Sequence, residues 1–376
     1  MNKRLNIEKT QAALQAKGLS QTALANELGV SKEAVSQWLK EKSFPRPNKL
    51  LQLGKLLGLS FAELVIKDEE NTPVVAFRKV GRAVTKNHHI EKAQEIGRFL
   101  RHLVPYLPFD TLEMPPVLKS PSCDYEFLQR VSEKVRSDIN VSPDETIDFT
   151  HLIKRFSELQ AVIVPVLWGS KNRHENAIHI YLPDSQTTWV YLNLDVNIHD
   201  FKFWMAHELG HCLSPSLTGT DEAEDFADSF AGALLFPEKK AKRALEVISS
   251  KPTVGAKISS LLKIAEDELI SPYTVFLQVN SYARHIGQPE VNLGKGYYAA
   301  ITKFNNQFMN LSEILLGDLS DITPNEYLHK VSDSFDTPFF NVLGEYLRDA
   351  NKGSGYVQTV TDMPLLDARG IHAELT

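Results

Sequence analysis

The feature that most constrains this chain is an apolar run, FKFWMAHELGHCL at residues 201–213, with ionisable residues at its centre. These are His207, Glu208 and His211, in the order H-E-x-x-H. On a helix, positions four apart lie on one face, so both imidazoles can converge on a single metal ion. The flanking aromatic and aliphatic residues predict a buried helix, where histidines need polar partners. The alternative is a chance match to three fixed letters, which typically falls on a solvated face.

The chemistry of zinc explains why these residue types occur together. Neutral imidazole binds Zn²⁺ at about 2.0–2.1 Å, and a catalytic zinc takes three protein ligands and keeps one position for water. The pKa of that water falls to roughly 7, and a nearby carboxylate can take its proton. The pattern therefore predicts His207 and His211 as ligands and Glu208 as the general base, with a third ligand elsewhere in the chain.

The next stretch, DEAEDFADSFAGALLFP at residues 221–237, has the apolar spacing of an amphipathic helix that ends at a proline. Glu224 and Asp228 lie four residues apart, and two alanines extend their face. Glu224 is therefore predicted to reach the metal, while Asp228 accepts a hydrogen bond from the free ring N–H of a ligand histidine. Asp221 and Glu222, at the start of the helix, are explained by the helix dipole.

Two separated motifs resemble the ImmA/IrrE family of bacterial zinc metallopeptidases. HELGH is followed by E-x-x-A-D-x-F-A from Glu224 to Ala231 and by LLFP at residues 234–237. The lead-in, TTWVYLNLDVNIHDFKFW, is similar to the family's strand and entering helix, with Asn193 near the end of the strand. The resemblance covers roughly residues 150–280. It implies three zinc ligands and one catalytic base, which are His207, His211, Glu224 and Glu208. The family more often has Asn at the position of Asp228.

The resemblance implies a site-specific endopeptidase that cleaves a regulatory protein, in the first place a transcriptional repressor, during stress or induction of a mobile element. Zn²⁺ is the expected cofactor, with Mn²⁺ as the alternative metal. The competing hypothesis is a transcription factor whose metallopeptidase-like domain senses a ligand or a metal and cleaves nothing. Glu208 favours the peptidase, because a sensor needs the histidine ligands but not the base.

The net charge of −6 is unevenly distributed along the chain. Residues 1–67 contain 11 Lys and Arg against 5 Asp and Glu, whereas the remaining residues contain 30 against 42. A small basic module on an acidic body is expected to contact a polyanion.

Residues 1–67 also have the helix pattern of a five-helix domain. Ser20 is the predicted N-cap of a helix that ends at Gly29, and Ser31 is the N-cap of the next helix. The tight break between these two helices suits a helix-turn-helix. The whole stretch resembles the lambda-repressor-like (XRE-type) DNA-binding domains.

By this likeness residues 21–28 form the supporting helix and residues 32–40 the recognition helix, which enters the major groove of DNA. Its apolar residues are expected to pack inward. The predicted contacts to base edges or phosphates are Gln21, Ser31, Lys32, Glu33, Ser36, Gln37 and Lys40. Lys42 and Arg46 are further phosphate candidates. The alternative is a helical bundle that binds protein instead of DNA. A homodimer is plausible, since operators usually pair two half-sites.

The predicted fold class is α+β. An all-α helix-turn-helix domain precedes a mostly helical metallopeptidase domain with a gluzincin-like site and a small antiparallel sheet, and a helical C-terminal region follows. The predicted boundaries are 1–67 for the helix-turn-helix domain, 68–123 for a helical and proline-rich connector, 124–285 for the zinc metallopeptidase domain and 286–376 for a C-terminal region of unknown role.

The sheet is predicted from three runs of β-branched and aromatic residues, AVIVPVLWG, AIHIYLP and TTWVYLNL. His179, Tyr181 and Tyr191 lie on these strands, and one of them could support a developing oxyanion, but the pattern does not say which.

No segment approaches 18 consecutive apolar residues, and the first residues lack the apolar region of a signal peptide. With only Cys123 and Cys212, a disulfide framework is not expected. These observations predict a cytoplasmic protein with no membrane partner.

Overall fold

The computed structural model describes residues 3–40, 43–67, 72–79, 87–109, 117–168, 175–217, 220–318 and 322–376. The chain divides into two compact units, Met1–Thr72 and Pro73–Thr376. Lys42 and part of the predicted connector, residues 110–116, lie outside the described residues. Among the residues described, no helix is long and apolar enough to cross a membrane.

The first unit is a helical module closed by a two-stranded ribbon. Its elements are β1 (Lys3–Leu5), α1 (Ile7–Ala16), α2 (Gln21–Leu28), α3 (Lys32–Leu39), α4 (Pro47–Leu57), α5 (Phe61–Leu64) and β2 (Val65–Lys67). The five predicted helices are confirmed. The antiparallel pairing of β1 with β2, which places Leu5 opposite Val65, was not predicted and joins the two ends of the module.

The caps of α2 and α3 explain why these helices begin where they do. The Ser20 hydroxyl accepts a hydrogen bond from the Ala23 N–H, and the Ser31 hydroxyl accepts one from the Ala34 N–H, both at 3.1 Å. Gly29 ends α2 in the left-handed conformation, with φ 60° and ψ 48°, which costs glycine no steric strain.

The second unit surrounds a four-stranded sheet with helices. Its elements are β3 (Val74–Lys79), α6 (Asn87–Leu100), α7 (Tyr125–Asp138), α8 (Phe149–Glu158), β4 (Ala161–Val166), β5 (Glu175–Leu182), β6 (Thr187–Asn193), α9 (Ile198–Leu213), α10 (Asp221–Leu235), α11 (Glu238–Ser249), α12 (Val254–Glu268), α13 (Pro272–His285), α14 (Gly296–Asn305), α15 (Leu311–Leu316), α16 (Pro324–Phe335), α17 (Phe339–Asp349), α18 (Ser354–Thr361) and α19 (Leu365–Leu375). The α+β class is confirmed.

The sheet is mixed, which corrects the predicted antiparallel arrangement. Its strand order is β3-β5-β6-β4. β5 pairs antiparallel with both β3 and β6, but β4 runs parallel to β6. After β4, at one edge of the sheet, the chain passes the position of β6, forms β5 and then returns as β6 between β4 and β5. The alternation of apolar and polar residues along each strand does not indicate this order. β3 lies in the segment that the sequence predicts to be a helical and proline-rich connector, so this strand is a correction to that prediction.

The C-terminal helices belong to the second unit, and they bind the sheet through side-chain hydrogen bonds. The Trp168 indole N–H donates to the Thr361 carbonyl at 2.9 Å, and the Tyr191 hydroxyl donates to the Val360 carbonyl at 2.7 Å. At the β4 edge, the Tyr327 hydroxyl donates to the Pro165 carbonyl at 2.8 Å. Residues that lie far apart in sequence thus form one core around the sheet.

Candidate metal centre

The helix that carries the H-E-x-x-H pattern, α9, is buried along almost its whole length. It begins at Asn197, whose side-chain oxygen accepts a hydrogen bond from the His199 N–H at 3.0 Å. The helix packs against β5 and β6 of the sheet and against α10. Because water cannot solvate polar side chains in this position, they must find partners within the protein.

Small residues allow α9 and α10 to approach closely. A Cβ atom on Gly210 would lie 3.0 Å from the Ala227 Cα and 3.2 Å from the Phe230 ring, so only glycine fits there without a shift. Thr220 is the N-cap of α10, and its hydroxyl accepts a hydrogen bond from the Ala223 N–H at 3.2 Å. The acidic residues in the first two turns of α10 are thereby brought to the histidines of α9.

Three predicted ligands meet at one point between the two helices. The Nε2 atoms of His207 and His211 lie 3.0 Å apart. Glu224 directs Oε2 to within 3.5 Å of the first nitrogen and Oε1 to within 3.4 Å of the second. Atoms bound at about 2.0–2.1 Å to a tetrahedral zinc ion lie about 3.3–3.4 Å from one another. Two imidazoles and one carboxylate at these separations fit the donor set of a zinc site.

Two carboxylates compete for the place of third ligand. Among the described residues, the cluster with potential ligand atoms all within 4.8 Å comprises His207, Glu208 and His211. Glu208 follows His207 directly, so its side chain leaves the helix about 100° away from that imidazole. The oxygens of Glu224, in contrast, each face one Nε2 atom. We therefore favour Glu224 as the ligand and keep Glu208 for the general base.

Asp228 orients the first histidine. Its Oδ1 atom lies 2.8 Å from His207 Nδ1, so the carboxylate accepts the ring N–H and leaves Nε2 as the ring nitrogen that faces Glu224. Burial lowers the pKa of His207, but the carboxylates of Asp228 and Glu224 outweigh burial and raise that pKa to about 9. A metal ion must therefore displace a proton from His207.

Glu224 is charged as a ligand must be. Burial raises its pKa, but hydrogen bonds from His207 and His211 outweigh burial and hold the pKa at about 2. Its side chain is 22% exposed and that of Asp228 is 57% exposed, whereas the two histidines are almost completely buried. These two carboxylates mark the side from which solvent reaches the site.

One further ionisable residue lies at the site. His179, on β5, places Nδ1 3.7 Å from Glu208 Oε2, and both side chains are at most 3% exposed. Burial and the neighbouring His211 and His207 lower the pKa of His179 to about 3, so its imidazole is neutral near pH 7. Of the three strand residues considered from sequence, His179 alone meets the cluster in this way. Tyr191 instead donates its hydroxyl to a backbone carbonyl in the core.

A cavity of about 430 Å³ adjoins the centre on the side of Asp228. It lies between α7 and α13, and Phe203 of α9 and Ser229 of α10 contribute to its lining. The two histidines and Glu208 do not line it. Of the candidate site residues, only Asp228 lines the cavity.

Most of the predicted DNA-contacting residues are accessible to solvent. Gln21, Ser31, Lys32, Glu33, Gln37 and Lys40 are exposed, and Ser36 is half-buried. The inward packing of the apolar residues of α3 is confirmed for Val35 and Trp38, which are 0% and 8% exposed. The recognition helix thus presents a polar face to solvent and an apolar face to its own core.

Comparison with known proteins identifies part of the chain. Residues 11–64 match the family described as Helix-turn-helix. The first unit is therefore a helix-turn-helix module of the DNA-binding type. No curated protein and no solved structure matches the chain.

Proposed function

We propose that the second unit is a zinc-dependent endopeptidase of the ImmA/IrrE type, and that the helix-turn-helix module directs it to transcriptional control. The observation that carries this proposal is the convergence of the His207 and His211 Nε2 atoms, 3.0 Å apart, on a carboxylate. Structural zinc sites are closed by four protein ligands, whereas hydrolytic sites use three. Two histidines, one glutamate and an adjacent buried Glu208 fit the hydrolytic type.

Each residue of the site has a separate role in this proposal. His207, His211 and Glu224 would hold the zinc ion, and Asp228 fixes the tautomer of His207. Zinc held there would act as a Lewis acid on the scissile carbonyl and would make a water molecule acidic near neutral pH. Glu208 takes the proton of the attacking water and returns it to the leaving amine, so the peptide bond breaks with no net change in the enzyme.

The proposed substrate is a regulatory protein, in the first place a transcriptional repressor. The basic first unit, with 11 Lys and Arg against 5 Asp and Glu in residues 1–67, supports attraction to DNA. A peptidase that binds an operator would meet the repressor bound there at a raised local concentration. Site-specific cleavage would then follow from proximity as much as from recognition of the cleaved sequence.

A second function is supported by the burial of the site. His207, Glu208 and His211 are each no more than 1% exposed, which favours a sensor of metal over an enzyme that must admit a polypeptide. In this alternative the protein regulates transcription through its DNA-binding module, and metal binding changes its state without hydrolysis. Glu208 distinguishes the two functions, because metal sensing does not require a base.

Comparison of protein termini in cells tests the peptidase directly. Cells with the native protein and cells with Glu208→Gln are compared with and without DNA damage. The carboxamide keeps the shape of the side chain but cannot take a proton, so zinc content should stay and hydrolysis should fall by about 10²–10⁴-fold. A new terminus that requires Glu208 would identify the substrate in the same experiment.

Glu222→Gln is the matched control, since it makes the same chemical change on an exposed residue of α10. It should leave every terminus as in the native protein. If no terminus differs between Glu208→Gln and the native protein under either condition, while transcription still responds to the damage, the sensor becomes the better description.

A further inference from the structure

We propose that His179 is a positioning residue that aligns the carboxylate of Glu208. This inference deepens the proposed peptidase function and rests on it. Among the described strands, His179 of β5 is the histidine that lies beside the site. It belongs neither to the H-E-x-x-H pattern nor to the proposed zinc ligands.

Strand geometry explains how His179 reaches α9. β5 lies inside the sheet between β3 and β6, and His179 pairs with Ala76 on one side and Val190 on the other. Successive side chains on a strand point to opposite faces, so the neighbouring Ile178 and Ile180 face away from His179. His179 is 2% exposed, and its Nδ1 atom has no hydrogen-bond acceptor among the residues described. A buried donor of this kind is costly unless it acquires a partner.

His179 Nδ1 lies 3.7 Å from Glu208 Oε2, which is too far for a hydrogen bond. A shift of less than about 1 Å would bring the two atoms within hydrogen-bond distance. Catalytic hydrogen bonds are often long before substrate binds and tighten in the substrate complex. The charged group that the His179 ring meets is thus the base, Glu208, while its ring centroid lies 5.6 Å from that of His211. Its position therefore fits a partner of the base and not a fourth ligand.

The proposed role assigns one task to each oxygen of Glu208. The His179 Nδ1–H donates to Oε2 and fixes the orientation of the carboxylate. Oε1 then takes the proton of the attacking water, and this proton passes to the leaving amine. His179 keeps its own proton throughout, so the hydrogen bond contributes orientation without a proton transfer.

Three substitutions separate orientation from packing. In His179→Asn the amide nitrogen can occupy the place of Nδ1, whereas in His179→Gln it extends to the place of Nε2, and His179→Leu removes the donor. We expect Leu and Gln to lower kcat by about 10–100-fold, as removal of a supporting hydrogen bond does. KM and zinc content should be unchanged, and Asn should restore most of kcat. The substrate for these assays is a peptide spanning the cleavage site found in the comparison of termini.

Glu208→Gln is measured beside these variants so that the two proposals fail separately. If Glu208→Gln still cleaves, the proposed function is wrong. If Glu208→Gln is inactive while His179→Leu has the native kcat, or if Asn and Gln give equal kcat, only the positioning role is wrong.

A zinc titration of the metal-free variants gives a readout besides activity. His179→Leu and the native protein should bind zinc with equal affinity, whereas Glu224→Ala should bind zinc more weakly than both. A loss of zinc affinity in His179→Leu equal to that in Glu224→Ala would make His179 a ligand and overturn its positioning role. Thermal unfolding of each variant shows whether it is folded, and the Asn variant, closest in shape, keeps the test available if Leu fails to fold.

Discussion

The predicted recognition helix α3 and α9, the helix of the candidate metal site, use polar residues in opposite ways. In α3, Lys32 and Gln37 face solvent while Val35 and Trp38 face the core. In α9, His207, Glu208 and His211 are buried, and their partners come from α10 and β5. A helix that reads DNA keeps its polar groups free for an external ligand. A helix that builds a metal site must satisfy its polar groups inside the fold.

The difference affects what a single substitution changes. A residue on the exposed face of α3 is accessible to water, so its loss leaves no buried polar group unpaired and should affect mainly binding. A residue of the α9 site contacts other polar groups that cannot reach water, so its loss leaves a buried group without its partner. We therefore expect clean binding defects in the first unit and combined effects on metal and stability in the second.

The largest effect should come from Glu224→Ala. If Glu224 is the third ligand, its loss should weaken zinc binding by more than about 100-fold, the upper end of the loss for an outer hydrogen-bond partner. Zinc content after dialysis against a chelator measures this, with Glu246→Ala, at an exposed position on α11, as the control. Unchanged zinc in Glu224→Ala would move the third ligand to Glu222 or Asp228.

The next largest effect should be on DNA binding in the double variant Lys32→Ala and Gln37→Ala. Each base contact contributes about 1–3 kcal/mol, so the pair should weaken specific binding by at least about 30-fold. A gel-shift titration with genomic fragments recovered by the native protein measures this at fixed salt. Lys55→Ala removes an equal positive charge from an exposed position on α4 and should retain most of the affinity.

Native DNA affinity in the double variant would remove the assignment of α3 as the recognition helix. A native protein that binds no DNA fragment in the same titration would favour the alternative in which the module binds protein. Zinc content should be native in either case, because the two units are separate compact bodies.

A smaller effect is expected at Asp228, whose carboxylate is hydrogen-bonded to the proposed ligand His207. Asp228→Ala should lower zinc affinity by about 10–100-fold, because His207 loses the acceptor that orients its ring. Asp228→Asn should lower it less, because the amide oxygen still accepts the Nδ1–H. A competition titration against a fluorescent zinc chelator measures both. Equal losses in the two variants would show that charge, and not the hydrogen bond, is what Asp228 supplies.

The smallest effect should be a loss of stability in Gly210→Ala. The new Cβ would lie 3.0 Å from the Ala227 Cα, a backbone atom that cannot move away cheaply. Overpacking of this kind costs about 1–3 kcal/mol, or several degrees in Tm. Gly255→Ala is the control, since a Cβ there meets nothing within 4 Å. A native Tm for Gly210→Ala would show that α9 and α10 can separate without cost.

Local hydrogen bonds explain why much of the first unit could be predicted. Ser20, Gly29 and Ser31 determine the ends of α2 and α3 through contacts that span three or four residues. Such contacts are encoded in consecutive positions, so the caps and the break between the helices could be read directly. The pairing of β1 with β2 could not, because it joins residues about 60 positions apart.

The sequence by itself determined which residues share a helix face. His207 and His211 lie four apart, as do Glu224 and Asp228, and helix geometry alone makes each pair adjacent. Whether Glu224 is the ligand and Glu208 the base stays a prediction. The structure adds that both pairs meet at one point, since Gly210 lets α10 approach α9.

Long-range packing sets three features that no local pattern indicates: the parallel pairing of β4 with β6, the attachment of the C-terminal helices to the sheet and the position of His179 beside Glu208. The physical reason is the same in each case. Burial of apolar surface stabilises many strand orders and helix packings to a similar extent, because it depends on area and not on residue identity. The most stable strand order and helix packing depend on all the contacts in the core together. These contacts join distant parts of the chain, so they cannot be predicted from a short segment.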